Sequence, residues 1–410
     1  MSGTALTNTV VGNASIATSD SAVADVLPRH RGQLARGLRV LLIVESSGGG
    51  TGRHVLDLAQ GLNRRGCDVH VVYSTRRADS LFLDRLNTLA GVRFTALDMR
   101  TGIHPSDYAV ARSIRRYLRA HGPFDVVHGH SSKGGALARL AGVGSRAAVF
   151  YTLHGLIMMD PGLARWKRTL YFAIELGLSF TTARIIAVSP EESRAAVRLG
   201  LGRARVTTIP NGVGRIHCTP RGAARGALGV ADHHLLIGFV GRLVEQKAPH
   251  IVIEAFAAVA RELPHARLVM VGAGPLRAAM EMLAMQLGVR DKVLWLGERD
   301  AREVLAALDI FAISSRKEGL PYVVLEAMAV GLPVVATASS GVESLIEHDV
   351  NGQVVPTDDP AAFAQALLHA GGDTARRQAM GEASLRRVRT FSIEAMIDRT
   401  LDAYLKHIPA

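Results

Sequence analysis

Cysteine is nearly absent from this chain of 410 residues, which holds only Cys67 and Cys218. Two thiols build neither a disulfide framework nor a cysteine-based structural zinc site, and free thiols fit a reducing, cytoplasmic setting. Aromatic residues are scarce as well, at 5%. That leaves few platforms for stacking unpaired bases and argues against a single-strand nucleic-acid binder. No apolar run of about 18 residues occurs, so no membrane-spanning helix is expected. Residues 1–36 are rich in Ser, Thr, Ala, Asn and Asp and lack the apolar stretch of a secretory signal. They read as a disordered leader that ends in the basic group Arg29, His30, Arg31 and Arg36.

What is present is globular. Hydrophobic residues make up 48% and charged residues 20%, enough apolar content to bury a sizeable core, and the length suggests two or three domains at roughly 150 residues each. The net charge of +12 is unevenly placed: residues 1–212 carry 27 Lys+Arg against 14 Asp+Glu, and residues 213–410 carry 21 against 22. The first half should therefore meet something acidic, whether phospholipid head groups, nucleic acid or a phosphorylated substrate. The near-neutral second half suits a domain that binds a small ligand through a few placed charges.

From Leu38 onward, short β-branched runs alternate with amphipathic stretches. Strands are predicted at 38–45, 67–74, 93–97, 125–129, 148–153, 184–188 and 205–209. After the turn Pro210-Asn211-Gly212 and an aperiodic stretch, a second series follows at 235–240, 267–271, 292–296, 310–313, 333–336 and 353–355. Residues 53–65 read as a helix, as does 361–406, the latter broken near Gly371–Gly372 and Thr390. Strands alternating with helices mean parallel βαβ units. The fold class is α/β: two Rossmann-like domains, at 37–212 and 235–390, joined by a linker at 213–234 and followed by a C-terminal helix, 391–410, expected to pack back on the first domain. Both parallel sheets should face the cleft between them, and ligands of such sheets bind at the carboxyl ends of strands.

The chemistry-bearing residues are accordingly sought just after strands. Glu318 and Glu326 follow the strand at 310–313; carboxylates there can accept hydrogen bonds from vicinal sugar hydroxyls, with a diphosphate against the intervening helix N-terminus. Alone, the pair equally suits a solvated and a helix-capping Glu. Arg242 and Lys247 follow the strand at 235–240, where cations can stabilise a leaving diphosphate; taken singly they are also ordinary surface residues. Gly272 and Gly274 form a close-approach turn, or a plain βα turn. The glycine loop at 48–52 resembles a phosphate cradle but has no Lys, and it fails both the P-loop and the dinucleotide fingerprints, which disfavours NAD and nucleoside triphosphate hydrolysis. His154 sits at a strand end beside Gly155, placed to hydrogen-bond a substrate hydroxyl. His128 and His130 are also strand-terminal; a metal reading for them is weak, because no carboxylate pair accompanies them. No Asp-x-Asp triplet is present to chelate a divalent ion, so no metal site is expected and charge neutralisation falls to Arg242, Lys247 and helix N-termini.

Taken together, the runs GGGTGRHVLDLAQGLNRRGCDV, ARIIAVSPEE, GRLVEQK and SSRKEGLPYVVLEAMAVGLPVVAT, with SGVESLIEHDVNGQVV after it, resemble the retaining glycosyltransferases of family four, of GT-B fold. The resemblance spans nearly the whole chain from about residue 38. It implies that the first domain takes the acceptor and the second a nucleotide diphosphate sugar, with no cofactor. Arg242 and Lys247 would hold the diphosphate, and Glu318, with Gly319 and Leu320 beside it, the transferred hexose. Glu326 would take the ribose, Gly272 and Gly274 would line the donor site, and Gly49, Gly50 and Gly52 would lie near the phosphates and acceptor. His154 would contact the donor sugar near its anomeric carbon, making His154, Glu318, Arg242 and Lys247 the catalytic group. Two departures stand out: Ala248 follows Lys247 where the family has Gly, and Ser340-Gly341 stands for its Gly-Gly. By analogy, the acceptor is a lipid-linked saccharide of bacterial surface-polysaccharide or lipopolysaccharide assembly.

The basic first half offers two surfaces. In a helix at 106–121, Tyr108, Ala111, Ile114 and Leu118 are expected to be buried, with Arg112, Arg115, Arg116 and Arg119 elsewhere. The other surface is Arg165-Trp166-Lys167-Arg168 followed by Leu170, Tyr171 and Phe172. Basic residues beside aromatics suit an anionic membrane, so the expected location is cytoplasmic and peripheral on the inner membrane face; a solvated arginine face over a core-packing aromatic run is the alternative. Two other functions compete: a GT-B-fold nucleotide-sugar epimerase, which needs no acceptor, and a nucleic-acid binder, against which stands the lack of any zinc, helix-turn-helix or RNA-sheet signature.

Overall fold

A computed structural model describes residues 35–160 and 162–408; the expected leader lies almost wholly outside them, and Ala35, at its end, is buried. Seven strands form the first sheet: β1 (Arg39–Val44), β2 (Asp68–Ser74), β3 (Val92–Leu97), β4 (Val126–His130), β5 (Ala148–Thr152), β6 (Arg184–Ala187) and β7 (Val206–Thr208). Six form the second: β8 (Leu235–Val240), β9 (Ala266–Val271), β10 (Val293–Gly297), β11 (Ile310–Ile313), β12 (Val334–Thr337) and β13 (Gly352–Val355). All the pairings are parallel, in the orders β3-β2-β1-β4-β5-β6-β7 and β10-β9-β8-β11-β12-β13.

The strand order explains the position of the cleft. In each sheet the chain starts in the middle, winds outward one way, then returns and winds the other way. The crevice at that reversal lies between β1 and β4 in the first sheet and between β8 and β11 in the second, and loops leaving these strands diverge to leave room for a ligand. Strands such as β1, with burial on both faces, account for the unbroken Val/Leu/Ile runs. Val40, Leu42 and Val55 pack on one side of the first sheet and Leu41, Ile43 and Ile114 on the other.

The chain passes between domains twice, and the two passages touch. Val213 N–H donates to Phe391 O (2.8 Å), and a Cβ at Gly212 would stand 2.4 Å from Ser392 O. Beyond them the helix Ile393–Leu405 lies on the first domain, where Met396, Ile397, Leu401 and Tyr404 join the core of Val40 and Leu42. Ile397 fits only because residue 61 is glycine: a Cβ there would be 2.1 Å from its Cδ1.

Three sequence expectations change. The 213–234 stretch carries a helix, Arg221–Ala227, whose Ala224 is buried in the second domain's core; Arg225 is buried too and bonds to Ala307 O, Ala231 O and His234 O. The glycine- and arginine-rich stretch hid a buried guanidinium that organises surrounding carbonyls. The glycine loop at 48–52 is largely the first turn of the helix Gly49–Arg64. On the helix Asp107–His121, Val110 replaces Tyr108 in the buried stripe, and Tyr108 is 73% exposed.

Candidate active site

The two loops at the second sheet's reversal meet. After β8, Arg242 is exposed and Lys247 closes a short 3-10 turn. Lys247 Nζ contacts Glu318 Oε1 from the loop after β11. Backbone and side-chain bonds lace the loops together: Ser314 Oγ donates to Ala248 O (2.8 Å), Arg316 N–H to Gln246 O (2.9 Å) and Gln246 Nε2 to Lys317 O (2.9 Å). Ala248 is left-handed at φ +43°, a conformation that glycine adopts without strain and alanine does not. The second departure, Ser340-Gly341, lies in a tight turn. Gly341 has φ +83°, and a Cβ there would lie 1.6 Å from Gly319 O, while the Ser340 hydroxyl donates to Glu318 O (2.7 Å).

Gly272 and Gly274 support this arrangement from below. Their φ values are +129° and +157°, and added Cβ atoms would lie 2.0 Å from Gly241 O and 2.3 Å from Leu243 O. Backbone packing under the Arg242 loop is sufficient reason for both glycines. The Leu320 side chain is buried in the second domain's core, and its carbonyl accepts from Asn211 Nδ2 of the first domain (2.8 Å).

Across the cleft, the first domain presents its own strand ends. Gly49 has φ +62° and donates its N–H to Asp79 Oδ2 (2.7 Å). Gly50 faces the Tyr322 ring, 3.5 Å from a built Cβ, and Gly52 must lack a Cβ because Ser47 O would be 1.8 Å away. His154 has φ +54° and Gly155 φ +97°; Gly319 packs against this turn, 3.1 Å from Gly155 N to a built Cβ. The turn is held by Glu192, whose Oε1 accepts from Gly155 N–H and whose Oε2 accepts from Val188 N–H (2.8 Å). Burial pushes the Glu192 carboxyl up to about 7.

Glu326 is buried and paired with Arg53 of the first domain, whose guanidinium lies over the Tyr322 ring at 4.7 Å. Burial raises the Glu326 carboxyl, opposed by the Arg53 charge. Tyr322 OH reaches His54 Nδ1 (3.2 Å), which also meets Asn211 Oδ1 (3.0 Å). His54, His130 and His154 close together, with one ligating nitrogen from each within 4.8 Å of the others. Burial holds His54 down at about 4 and His128, His130 and His154 well below the ordinary histidine value. His128 has a structural task, bonding Tyr404 OH (2.5 Å) and Thr152 Oγ1 (2.7 Å).

The structure thus gathers Lys247, Glu318, Gly319, Glu326, His154 and Gly50 around one cleft. It adds Arg53, His54, Asn211, Tyr322 and Glu192, which sequence reasoning missed. Glu192 had a visible signal, the Ser-x-x-Glu capping box at Ser189: Glu192 N–H bonds Ser189 Oγ (3.1 Å), but its carboxylate serves Val188 and Gly155.

The comparisons with known proteins agree with this architecture. Residues 48–214 match the model described as Glycosyltransferase Family 4, and residues 221–387 match that described as Glycosyl transferases group 1. The D-inositol 3-phosphate glycosyltransferase of Geodermatophilus obscurus is 30% identical over 383 residues, covering 87% of this chain and 84% of its own. The UDP-Gal:alpha-D-GlcNAc-diphosphoundecaprenol alpha-1,3-galactosyltransferase of Escherichia coli is 28% identical over 295 residues, 69% of this chain and 75% of its own. Among solved structures, Anabaena Alr3699/HepE in complex with UDP and glucose superposes with a TM-score of 0.77 at 21% identity, covering 89% of this chain and 98% of that one. The chain is a glycosyltransferase of GT-B fold and belongs to glycosyltransferase family 4.

Proposed function

We propose that the protein transfers a hexose-type sugar, with retention and without a metal, from a nucleotide diphosphate sugar to a lipid-linked or saccharide acceptor in surface-polysaccharide synthesis. The observation that carries this reading is the Lys247–Glu318 contact at the second sheet's reversal, opposite His154. It puts a cation for phosphate and a carboxylate for sugar hydroxyls within one ligand's length of each other. Uridine is the first base to test, because Alr3699/HepE was crystallised with UDP and glucose and the Escherichia coli relative is named for UDP-Gal.

When the donor enters, Lys247 turns from Glu318 to the diphosphate, joined by Arg242, and Glu318 accepts from the sugar hydroxyls. Glu326 takes the ribose. The acceptor oxygen bonds to the anomeric carbon on the face that the diphosphate leaves. The broken bond's electrons depart with the diphosphate, and a phosphate oxygen takes the acceptor's proton. Fixed cations at the developing charge supply most of the acceleration. His154, neutral by burial, hydrogen-bonds the sugar beside the reacting carbon.

The acceptor side supports a peripheral position on the inner membrane face. The helix Arg165–Ser179 has Trp166 65% and Leu170 42% exposed, with Lys167 Nζ 5.5 Å from the Trp166 ring centre. An exposed indole and an aliphatic side chain among cations are what an anionic interface takes, while Tyr171 and Phe172 pack against the core. Among the described residues no helix is long and apolar enough to cross a membrane. A donor screen tests the core of the proposal: a nucleotide diphosphate sugar should raise the unfolding temperature and be consumed when a lipid-linked saccharide is added. Protection by none of the panel would overturn it.

A further inference from the structure

His54, His130 and His154 come from three separate elements: the helix Gly49–Arg64, the end of β4 and the turn after β5. Their ring centres lie 5.3 Å (His54–His130), 4.5 Å (His54–His154) and 5.4 Å (His130–His154) apart. His130 Nδ1 and His154 Nε2 are 3.2 Å apart. Two imidazole nitrogens on one tetrahedral zinc ion, each about 2.0–2.1 Å from it, stand roughly 3.3 Å apart. His130 and His154 already stand at that spacing, and one nitrogen of His54 lies within 4.8 Å of one nitrogen on each of them.

His54 also has an outer partner. Asn211 Nδ2 donates to Leu320 O, so its Oδ1 faces His54 and accepts from Nδ1–H. That leaves His54 Nε2 with a bare lone pair, oriented by an outer partner as metal-bound histidines are. His130 Nε2 is buried with no hydrogen-bond partner among the described residues.

We propose that His54, His130 and His154 form a three-imidazole site for a zinc-class divalent cation, and that an ion held there inhibits sugar transfer by taking one nitrogen of His154 and fixing its ring. Imidazole sets select zinc and copper over magnesium and calcium. The inhibitory half rests on the assignment of His154 to the donor sugar; the binding half does not.

The test uses the full chain, stripped with a chelator and titrated with zinc and with cobalt(II). One zinc per chain should bind, cobalt should show the strong visible bands of four-coordination, and zinc-edge X-ray absorption should count three imidazoles. His130→Ala should weaken zinc binding by more than the roughly 10–100-fold that losing an outer-shell partner causes, and Asn211→Ala by about 10–100-fold. Zinc should slow transfer by the wild-type chain while magnesium does not. No zinc uptake, six-coordinate cobalt, fewer than three imidazoles or an unaltered affinity in the His130 variant overturns the site. The spectroscopic measurements decide it on the wild-type chain even where a variant does not fold. Zinc binding without inhibition overturns the proposed blockade and leaves the donor assignment to the donor screen.

Discussion

Arg53 of the first domain pairs with Glu326 of the second, the carboxylate proposed for the donor's ribose. Arg53 also reaches Asp57 Oδ2 at 3.5 Å and covers the Tyr322 ring, making it a contact that spans the cleft. Arg53→Ala should lower the stability of the free protein by about 1–3 kcal/mol, because Glu326 is left buried and uncompensated. UDP should then raise the variant's unfolding temperature more than the wild type's, since it no longer competes with the guanidinium. Equal nucleotide shifts would show that the pair lies outside the ribose position.

The Lys247–Glu318 contact makes a kinetic prediction. Lys247→Ala and Glu318→Ala should each lower kcat by about 100-fold or more, the scale of removing one preorganised group at a developing charge, with circular dichroism unchanged. Near-normal turnover in either variant would place the reacting centre elsewhere.

Glu192 predicts a pH dependence. Its folded value of about 7 lies above the ordinary Glu value of 4.5. Between those pH values the folded state binds the extra proton, so this group's contribution to stability is full below pH 4.5 and is lost as pH rises through 7. The loss is on the order of 3 kcal/mol. Glu192→Gln removes the titration. Denaturant unfolding at pH 5 and pH 8 should therefore show a smaller pH difference in the variant than in the wild type; identical differences would mean the carboxylate does not titrate in that window.

Arg139 and Glu175 form a buried pair at 2.7 Å, with Arg139 stacked 4.2 Å over the Tyr151 ring. This contact anchors the Trp166-bearing helix to the domain. Glu175→Ala should cost about 3–5 kcal/mol by leaving the guanidinium buried and unpaired. Replacing both residues with apolar ones of similar volume should recover most of that loss in urea melts.

The exposed face of the same helix gives a binding prediction. Flotation with vesicles should be stronger on anionic than on neutral lipid and should fall with salt. Trp166→Ala should weaken it without altering the unfolding temperature. Indifference to lipid charge would remove the electrostatic case.

The alternation of strands and helices was legible because a strand covered on both faces reads as a near-continuous apolar run, as in β1 and β8, whatever lies far away in sequence. Arg242, Lys247 and Glu318 were legible as loop residues after such strands and Glu326 on the helix that follows, together with the runs that resemble the family. Tertiary structure alone decided which groups meet across the cleft. Arg53 and Glu326 are 273 positions apart, and His54, His130 and His154 converge from three elements that no local period relates. Hydrophobic periodicity records which face of an element is buried; it carries nothing about the partner. Burial supplied the rest, because the neutrality of the histidines and the raised carboxyl of Glu192 follow from the removal of water, which only the closed fold accomplishes.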